Sequence, residues 1–321
     1  MKRTFAGIVL ALLLTRGVAA QAPHLEKTIA LTGTAVRYTA ISPAGNFVAA
    51  VCSDEKLRLW EISSGTLVRT LDLGGQKIPS VHFSGTGRLL AAGGRSGLIR
   101  VWEVASGRLA REFTSAGEVV AMAFSPDDEL LAAAPLEEAA EVWELSSAKK
   151  ISSMKAPFSG TSAVAFSPDS LWLATADGDT NVRVYDARTG ARRSIAEDLL
   201  MEPLAIAYSS DGQFIFTGGG DKTINVIDPA SGKVLRTLPK QADALVDLHP
   251  SKDGKSLAAV YLNADNPAKP AEVLIWDLAT QSPRLHFLDP AAVANGGEFL
   301  IDGRWLMTSG AEKEMKVWSA R

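Results

Sequence analysis

The chain has 321 residues, a formal net charge of −3 and 46% hydrophobic residues, values typical of a folded globular protein. This mildly acidic balance argues against nucleic acid or an anionic membrane surface as the main partner, because both select for basic faces. A chain of this length has room for one large all-β domain or for two ordinary domains.

The first twenty residues have the pattern of a bacterial export signal. Met1–Thr4 carries two basic residues, residues 5–14 form an apolar run, and Val18–Ala20 supplies the small residues that a signal peptidase prefers. The apolar run is too short to span a bilayer as a helix, which needs about 20 residues. We predict a cleaved signal peptide at residues 1–20, a mature domain at residues 21–321 and a periplasmic or secreted location. An uncleaved membrane anchor is the alternative.

Cys52 is the only cysteine, so no intramolecular disulfide is possible. An exported chain without disulfides must be stabilised by the size of its core. Because Cys52 lies in an apolar run, we expect it to be a buried small side chain, with an exposed reactive thiol as the alternative.

A unit of about 42 residues recurs along the chain. In residues 81–113, two apolar runs of strand length, Leu89–Ala92 and Leu98–Val104, are separated by turn signals. Each unit carries a landmark residue, at Trp60, Trp102, Trp143, Tyr185, Ile227, Trp276 and Trp318. An acidic residue follows six of these seven landmarks. Such a unit is one small sheet with too little core to fold alone, so it must stack against copies of itself.

A tight turn precedes each landmark by about eighteen residues. The turns begin with Ser42-Pro43, Ser84-Gly85, Ser125-Pro126, Ser167-Pro168 and Ser209-Ser210, and Asp253-Gly254 and Asp302-Gly303 continue the series. Proline presets φ, aspartate caps its own backbone and glycine accepts positive φ, so these residues favour turns for stated physical reasons.

Repeats of this length that end in Trp-Asp resemble the WD-repeat family over roughly residues 36–318. Residues 226–238 also resemble the YVTN-type repeat of other exported propellers. The resemblance implies an all-β fold, a single seven-bladed β-propeller with four strands per blade. The family's Gly-His pair is missing throughout. Without the histidine, the matching acids Asp54, Asp179 and Asp221 are expected to be turn residues rather than members of a buried network.

The last unit is short of one strand. Only three residues follow Trp318, whereas a final strand such as 66–71 follows each earlier landmark. An unpaired outer edge invites aggregation. Because residues 26–31 resemble those final strands, we predict that this closing strand crosses over and completes the seventh blade.

Few patterns point to chemistry. Asp177–Asn181 has alternating oxygen ligands but lacks the glycine and glutamate of a calcium loop, so a polar hairpin turn is expected. Gly218–Lys222 lacks the spacing of a phosphate-binding loop and is expected to be a turn. The four histidines are scattered and no nucleophile motif occurs. We therefore assign no catalytic, cofactor-binding or metal-binding residue.

Basic residues stand two positions before several landmarks, at Arg58, Arg100, Arg183 and Lys316. We expect them to pair with acids of the adjacent blade. The alternative, a basic ring for an acidic partner, is weakened by Glu141, Asn225 and Leu274 at the other three positions.

The sixth repeat is longer than the others, and its extra residues fall in 261–271. Two prolines stiffen this polar connection, and loops on rigid scaffolds are where binding residues concentrate. The candidate partner-binding residues are Tyr261, Asn263, Asp265, Asn266 and Lys269. A neutral insertion is the alternative, because loops lengthen at little cost in free energy.

The function expected from the resemblance is that of a non-enzymatic, exported scaffold that binds a protein or peptide on one rim. The alternative is an exported, lactonase-like hydrolase with a site at the central channel. A glycan binder ranks third, because aromatic residues make up only 7% of the chain.

Overall fold

The computed structural model describes residues 24–30, 36–154, 160–197, 199–263, 266, 271–289, 297–299, 304–309 and 314–319. The regular structure in these ranges is β-strand, arranged in four-stranded antiparallel sheets. Across the same ranges, no helix has the length and apolar character that crossing a membrane requires. The predicted signal peptide, residues 1–20, lies outside the described residues.

Six blades are each built from four strands that are consecutive in the sequence. Blade 1 contains β2 (Val36–Ile41), β3 (Phe47–Cys52), β4 (Leu57–Glu61) and β5 (Leu67–Leu71). Blade 2 contains β6 (Ser80–Phe83), β7 (Leu89–Gly93), β8 (Leu98–Glu103) and β9 (Leu109–Thr114). Blade 3 contains β10 (Val119–Phe124), β11 (Leu130–Pro135), β12 (Glu141–Glu144) and β13 (Lys149–Ser153).

Blades 4 to 6 repeat this plan. Blade 4 contains β14 (Thr161–Phe166), β15 (Trp172–Asp177), β16 (Val182–Asp186) and β17 (Arg192–Ala196). Blade 5 contains β18 (Pro203–Tyr208), β19 (Ile215–Gly219), β20 (Ile224–Ile227) and β21 (Val234–Leu238). Blade 6 contains β22 (Ala244–Pro250), β23 (Ser256–Leu262), β24 (Ala271–Asp277) and β25 (Ser282–Asp289).

Four strands do not belong to these six blades: β1 (His24–Ala30), β26 (Gly297–Phe299), β27 (Arg304–Ser309) and β28 (Glu314–Ser319). They form a sheet in the order β1-β28-β27-β26. The prediction of an all-β propeller is confirmed. The prediction of seven blades is not met in the same way: the structure shows six blades of four consecutive strands, because only three described strands follow β25.

The first strand of each blade is the innermost. These first strands contact one another from blade to blade and together line a central channel. The core lies between the blades rather than within them. Trp102 of blade 2, for example, is 4% exposed and belongs to one buried cluster with Leu57 and Leu59 of blade 1. Apolar residues on both faces of each sheet therefore stabilise the stack, each buried side chain by about 1.5–3 kcal/mol.

Outer strands are tied to the next blade by a repeated hydrogen bond. A side chain on the fourth strand donates to a backbone carbonyl that follows the third strand of the next blade. The bonds run from Arg69 Nε to Val104 O (3.2 Å), Arg111 Nε to Leu145 O (2.7 Å), Ser152 Oγ to Ala187 O (2.7 Å) and Ser194 Oγ to Pro229 O (2.7 Å). These bonds satisfy carbonyls that the turn leaves unpaired, and they fix neighbouring blades in register.

The six predicted turns from Ser42-Pro43 to Asp253-Gly254 are confirmed, and the seventh, Asp302-Gly303, lies outside the described residues. Each joins the first strand of a blade to its second, and its serine hydroxyl accepts the N–H of the residue five positions later. In blade 4, Trp172 N–H donates to Ser167 Oγ at 2.9 Å, and Ser167 Oγ donates to Asp169 Oδ1 at 2.5 Å. Ser209 and Ser251 form the same bonds to Asp211 and Asp253, at 2.6 Å in both cases.

Candidate functional site

The central channel forms a cavity of about 710 Å³ lined by the first strands of blades 1 to 6. Two levels of its wall are occupied by residues at equivalent positions in the six blades. The upper level consists of Tyr38, Ser80, Ala121, Ala163, Ala205 and Asp247, and the lower level of Ala40, His82, Ala123, Ala165, Ala207 and His249. At these two levels the wall is therefore alanine in blades 3 to 5, whereas the titratable residues come from blades 1, 2 and 6.

Asp247 and His249 form a close pair on β22. Nε2 of His249 lies 2.9 Å from Oδ2 of Asp247, and the other carboxylate oxygen accepts the backbone N–H of Leu248 at 2.9 Å. Enclosure by the channel wall opposes ionisation of Asp247, but the charge and hydrogen bond of His249 and the Leu248 N–H outweigh it, so the pKa of Asp247 is lowered. Its side chain is still 38% exposed to the channel. Asp247 is thus an ionised carboxylate with access to solvent.

His82 faces the same channel from blade 2. Its side chain is exposed to the channel solvent, and the surrounding channel wall lowers the pKa of His82 to about 4, against the smaller opposing effect of Asp247. At neutral pH the His82 imidazole is therefore uncharged and offers one donor and one acceptor.

This cluster was not predicted from the sequence, because His82 and His249 lie far apart along the chain. The signal that could have found them is their phase in the repeat: each stands two residues before the turn serine of its blade, Ser84 or Ser251. The arrangement of the blades turns this shared phase into a shared level in the channel.

The predicted binding loop lies on the face formed by the second-to-third-strand turns and the connections between blades, which we call the loop face. Asn263 follows β23, and its side-chain amide donates to Asp243 Oδ1 at 2.6 Å. The backbone N–H of Asn266 donates to Asn263 Oδ1 at 2.7 Å, and Asn266 is exposed. Asp265 and Lys269 lie outside the described residues, so their part of the prediction is untested.

Tyr261 has a different position from the one expected of a contact residue. It lies within β23 and is fully buried, at 0% exposure, in the cluster between blades 5 and 6. Its ring supports the base of the loop from inside and does not reach the surface. The repeat spacing predicted that Tyr261 lies in the loop. The prediction is wrong because strand β23 extends farther than the equivalent strands of the other blades and includes this residue.

The loop face also carries exposed apolar side chains that the sequence analysis did not identify. Leu200 and Met201, in the connection from blade 4 to blade 5, are 81% and 52% exposed, and Leu204 at the channel mouth is 40% exposed. The Met201 side chain lies over Gly220, where an added Cβ would come within 3.1 Å of it. The connection is therefore packed against the next blade while presenting apolar surface outward.

The basic residues before the landmarks do not pair as predicted. Arg58 binds Asp54 and Arg100 binds Glu112, and both acids belong to the same blade as their arginine. The expectation of partners in the adjacent blade is wrong, because the hairpin turn and the outer strand of the same sheet bring an acid closer. The three arginines, Arg58, Arg100 and Arg183, each pair with an acid of their own blade, and the prediction for the side chain of Lys316 is untested.

Arg183 in blade 4 has two carboxylate partners. Its Nη1 lies 2.6 Å from Asp177 Oδ2, and its Nη2 lies 2.5 Å from Asp179 Oδ2. Burial raises the pKa of Asp177, against the opposing hydrogen bonds of Arg183, Thr161 and Thr175, whereas Arg183 lowers the pKa of Asp179. The hairpin prediction for Asp177–Asn181 is confirmed, and both acids that resemble calcium ligands are occupied by the arginine.

Asp54 and Asp179 are therefore more than turn residues, because each forms an ion pair with an arginine of its own blade. Asp221 is a turn residue as predicted. Its carboxylate accepts two hydrogen bonds from Thr223, one from the backbone N–H at 3.2 Å and one from the side-chain hydroxyl at 2.6 Å. Within the described ranges, no three His, Cys, Asp or Glu side chains are grouped closely enough to hold a metal ion.

A family model for the WD domain, G-beta repeat, matches residues 26–61, 65–103, 148–186 and 203–228. The first three matches begin within β1 or one to two residues before β5 or β13, and each ends on the last residue of the third strand in the following blade. The fourth covers the first three strands of blade 5. A comparison with curated proteins gave no match.

Proposed function

The chain belongs to the WD-repeat β-propeller family, and from this premise we propose that it is a non-enzymatic platform that binds a protein or peptide on its loop face. The observation that carries the proposal is the exposure of Leu200, Met201 and Leu204 on the face that also bears the long connection of blade 6. Exposed apolar side chains held on a rigid scaffold are typical of protein-binding surfaces.

Binding at this surface is best tested with two matched double variants. Leu200→Asp/Met201→Asp places charge on the loop face, and Leu67→Asp/Val68→Asp does the same on outer strand β5, where the two residues are 45% and 43% exposed. We expect the wild-type protein and the β5 variant to recover one stoichiometric partner from an envelope extract, and the loop-face variant to lose it. Equal recovery by both variants, or no stoichiometric partner for the wild type, contradicts the proposal.

We also propose that the propeller is a seven-bladed ring closed by β1. Four observations support it. β1 pairs with β28 from His24↔Ser319 to Ala30↔Glu314, β26 contacts both β22 and β2, and the first family match begins within β1. The buried clusters on the outer faces of blades 1 and 6 also need a covering sheet.

The proposed location is outside the cytoplasm. The basic start, apolar run and small residues of the first twenty positions support export with cleavage after Ala20. Fractionation of the native host followed by N-terminal sequencing is expected to give a periplasmic or secreted protein that begins at Gln21. A cytoplasmic protein that retains residues 1–20 contradicts this location.

A hydrolase with its site in the channel is the second candidate. It is favoured by one arrangement, the carboxylate of Asp247 beside the imidazole of His249. Elemental analysis of the purified protein separates the two candidates. One equivalent of tightly bound calcium or zinc supports the hydrolase, and a metal-free protein that recovers its partner supports the platform.

A further inference from the structure

We propose that the central channel binds the ammonium group of a lysine side chain, with Asp247 as its counter-ion. The inference deepens the proposed function, since a partner docked on the loop face is the source from which such a side chain would enter the channel.

The charge of the channel wall favours a cation. Among the described residues that line the cavity, Asp247 is the only carboxylate, and there is no lysine or arginine. Asp247 is therefore the only acidic side chain on this part of the wall, and no basic lysine or arginine competes for it there. An ionised carboxylate on an enclosed wall attracts a positive group more strongly than it would in bulk water.

The geometry of Asp247 favours an ammonium over a guanidinium. One carboxylate oxygen already accepts the Leu248 N–H at 2.9 Å, and the other lies 2.9 Å from His249 Nε2. The flat fork of a guanidinium binds best when both oxygens are free side by side, whereas an ammonium needs only one oxygen and turns its remaining donors elsewhere. The uncharged imidazole of His82 faces the same cavity and supplies a nitrogen acceptor.

The two halves of the wall match the two parts of a lysine side chain. The polar half, from blades 2 and 6, carries His82, His249 and Asp247, and the opposite half is alanine in blades 3, 4 and 5. Small alanine side chains leave lateral room for the four-carbon stem, which gains by burying its methylenes at about 0.8 kcal/mol each. The cavity of about 710 Å³ is large enough for a lysine side chain together with water.

The test is a calorimetric titration at pH 8 with capped pentapeptides of glycine that carry lysine, arginine or norleucine in the centre. The proteins are the wild type, Asp247→Asn, Ala163→Leu and a control, Glu197→Gln, which makes the same acid-to-amide change at an exposed position outside the channel. We expect the lysine peptide to bind the wild type and the control alike, and to bind Asp247→Asn at least tenfold more weakly. Ala163→Leu should also weaken binding, because it narrows the apolar wall without changing charge.

Free 1,4-diaminobutane forms a second arm, because a small amine carries the same ammonium group. Tighter binding of the lysine peptide than of the diamine supports a partner as the source, and the reverse supports the same site with a free amine. The proposal is overturned when the norleucine peptide binds as well as the lysine peptide, when Asp247→Asn binds unchanged, or when no peptide or amine binds at millimolar concentration. Those results leave the loop-face experiment untouched, so the two proposals fail separately.

Discussion

Two carboxylates of this propeller, Asp177 inside blade 4 and Asp247 on the channel wall, lie beside basic side chains in opposite surroundings. Asp177 is 1% exposed, and its oxygens accept hydrogen bonds from Arg183, Thr161 and Thr175. Asp247 is 38% exposed, and within the described part of the chain its carboxylate accepts the Leu248 N–H and lies beside the His249 imidazole. The difference teaches that a carboxylate inside a blade completes the fold, whereas one in the channel keeps capacity for a ligand.

The largest expected effect on stability comes from removing the buried ion pair between Asp177 and Arg183. Asp177→Ala is expected to lower the free energy of unfolding by about 3 kcal/mol, because it strips a partner from a buried arginine and leaves Thr161 and Thr175 without their acceptor. Asp247→Asn, on the channel wall, is expected to change it by less than about 0.5 kcal/mol. Urea unfolding of both variants measures the contrast.

Asp54→Ala in blade 1 is the control, because it removes the same kind of ion pair where the carboxylate is 32% exposed. Its cost should stay below about 1 kcal/mol. Equal destabilisation by the Asp177 and Asp247 variants would show that the two environments do not differ in the way described.

A smaller effect concerns the pH dependence of stability. The folded His82 has a pKa of about 4 and the unfolded residue one near 6.5, so the unfolded chain binds more protons between these values. Stability is therefore unaffected by His82 above about pH 6.5 and falls as the pH is lowered towards 4. His82→Ala, which installs the residue found at this level in blades 3 to 5, should flatten the fall in Tm over that window.

Ser80→Ala is the matched control for this titration. It changes a neighbouring position on the same strand without removing a titratable group, so its Tm should follow the wild type from pH 6.5 to pH 4. If the Tm of His82→Ala depends on pH in the same way as the Tm of the wild type, His82 has an ordinary pKa in the folded protein and the account is contradicted.

The smallest expected effect concerns a polar group that belongs to neither environment. Tyr208 borders the channel at 7% exposure, and its hydroxyl has no hydrogen-bond partner among the described residues. Removing a buried polar group that has no partner avoids a desolvation cost. Tyr208→Phe is therefore expected to leave the protein equally stable or up to about 1 kcal/mol more stable in urea unfolding. A clear loss of stability would reveal a bond to the hydroxyl.

The sequence predicted the parts of this molecule that depend on local repetition. Turns at Ser167 and Ser209, and the landmark Trp102 buried against the neighbouring blade, follow from residue types that recur in phase. These features need no knowledge of distant contacts, because each repeat carries its own turn chemistry and apolar pattern.

Features that depend on how the repeats are placed in space could not be read in the same way. Whether Arg58 pairs within its blade or across to the next depends on side-chain reach, and the fully buried position of Tyr261 depends on where β23 ends. The channel cluster could not be predicted from the sequence, because His82 and Asp247 come close to each other only when the blades are arranged about one axis. The apolar surface at Leu200 has no periodic signal at all.

The arrangement of the blades as a closed ring is the claim on which both binding surfaces depend, and a designed disulfide tests it most directly. Thr28 and Lys316 are register partners of β1 and β28, and the native Cys52 is buried at 1% exposure. In Thr28→Cys/Lys316→Cys we expect one intramolecular disulfide under mild oxidation, and a free energy of unfolding raised by about 5 kcal/mol, because the bond closes a very long loop. The off-register pair Thr28→Cys/Ser319→Cys should form none. Failure of the in-register pair to form, or equal crosslinking of both pairs, contradicts the closed ring.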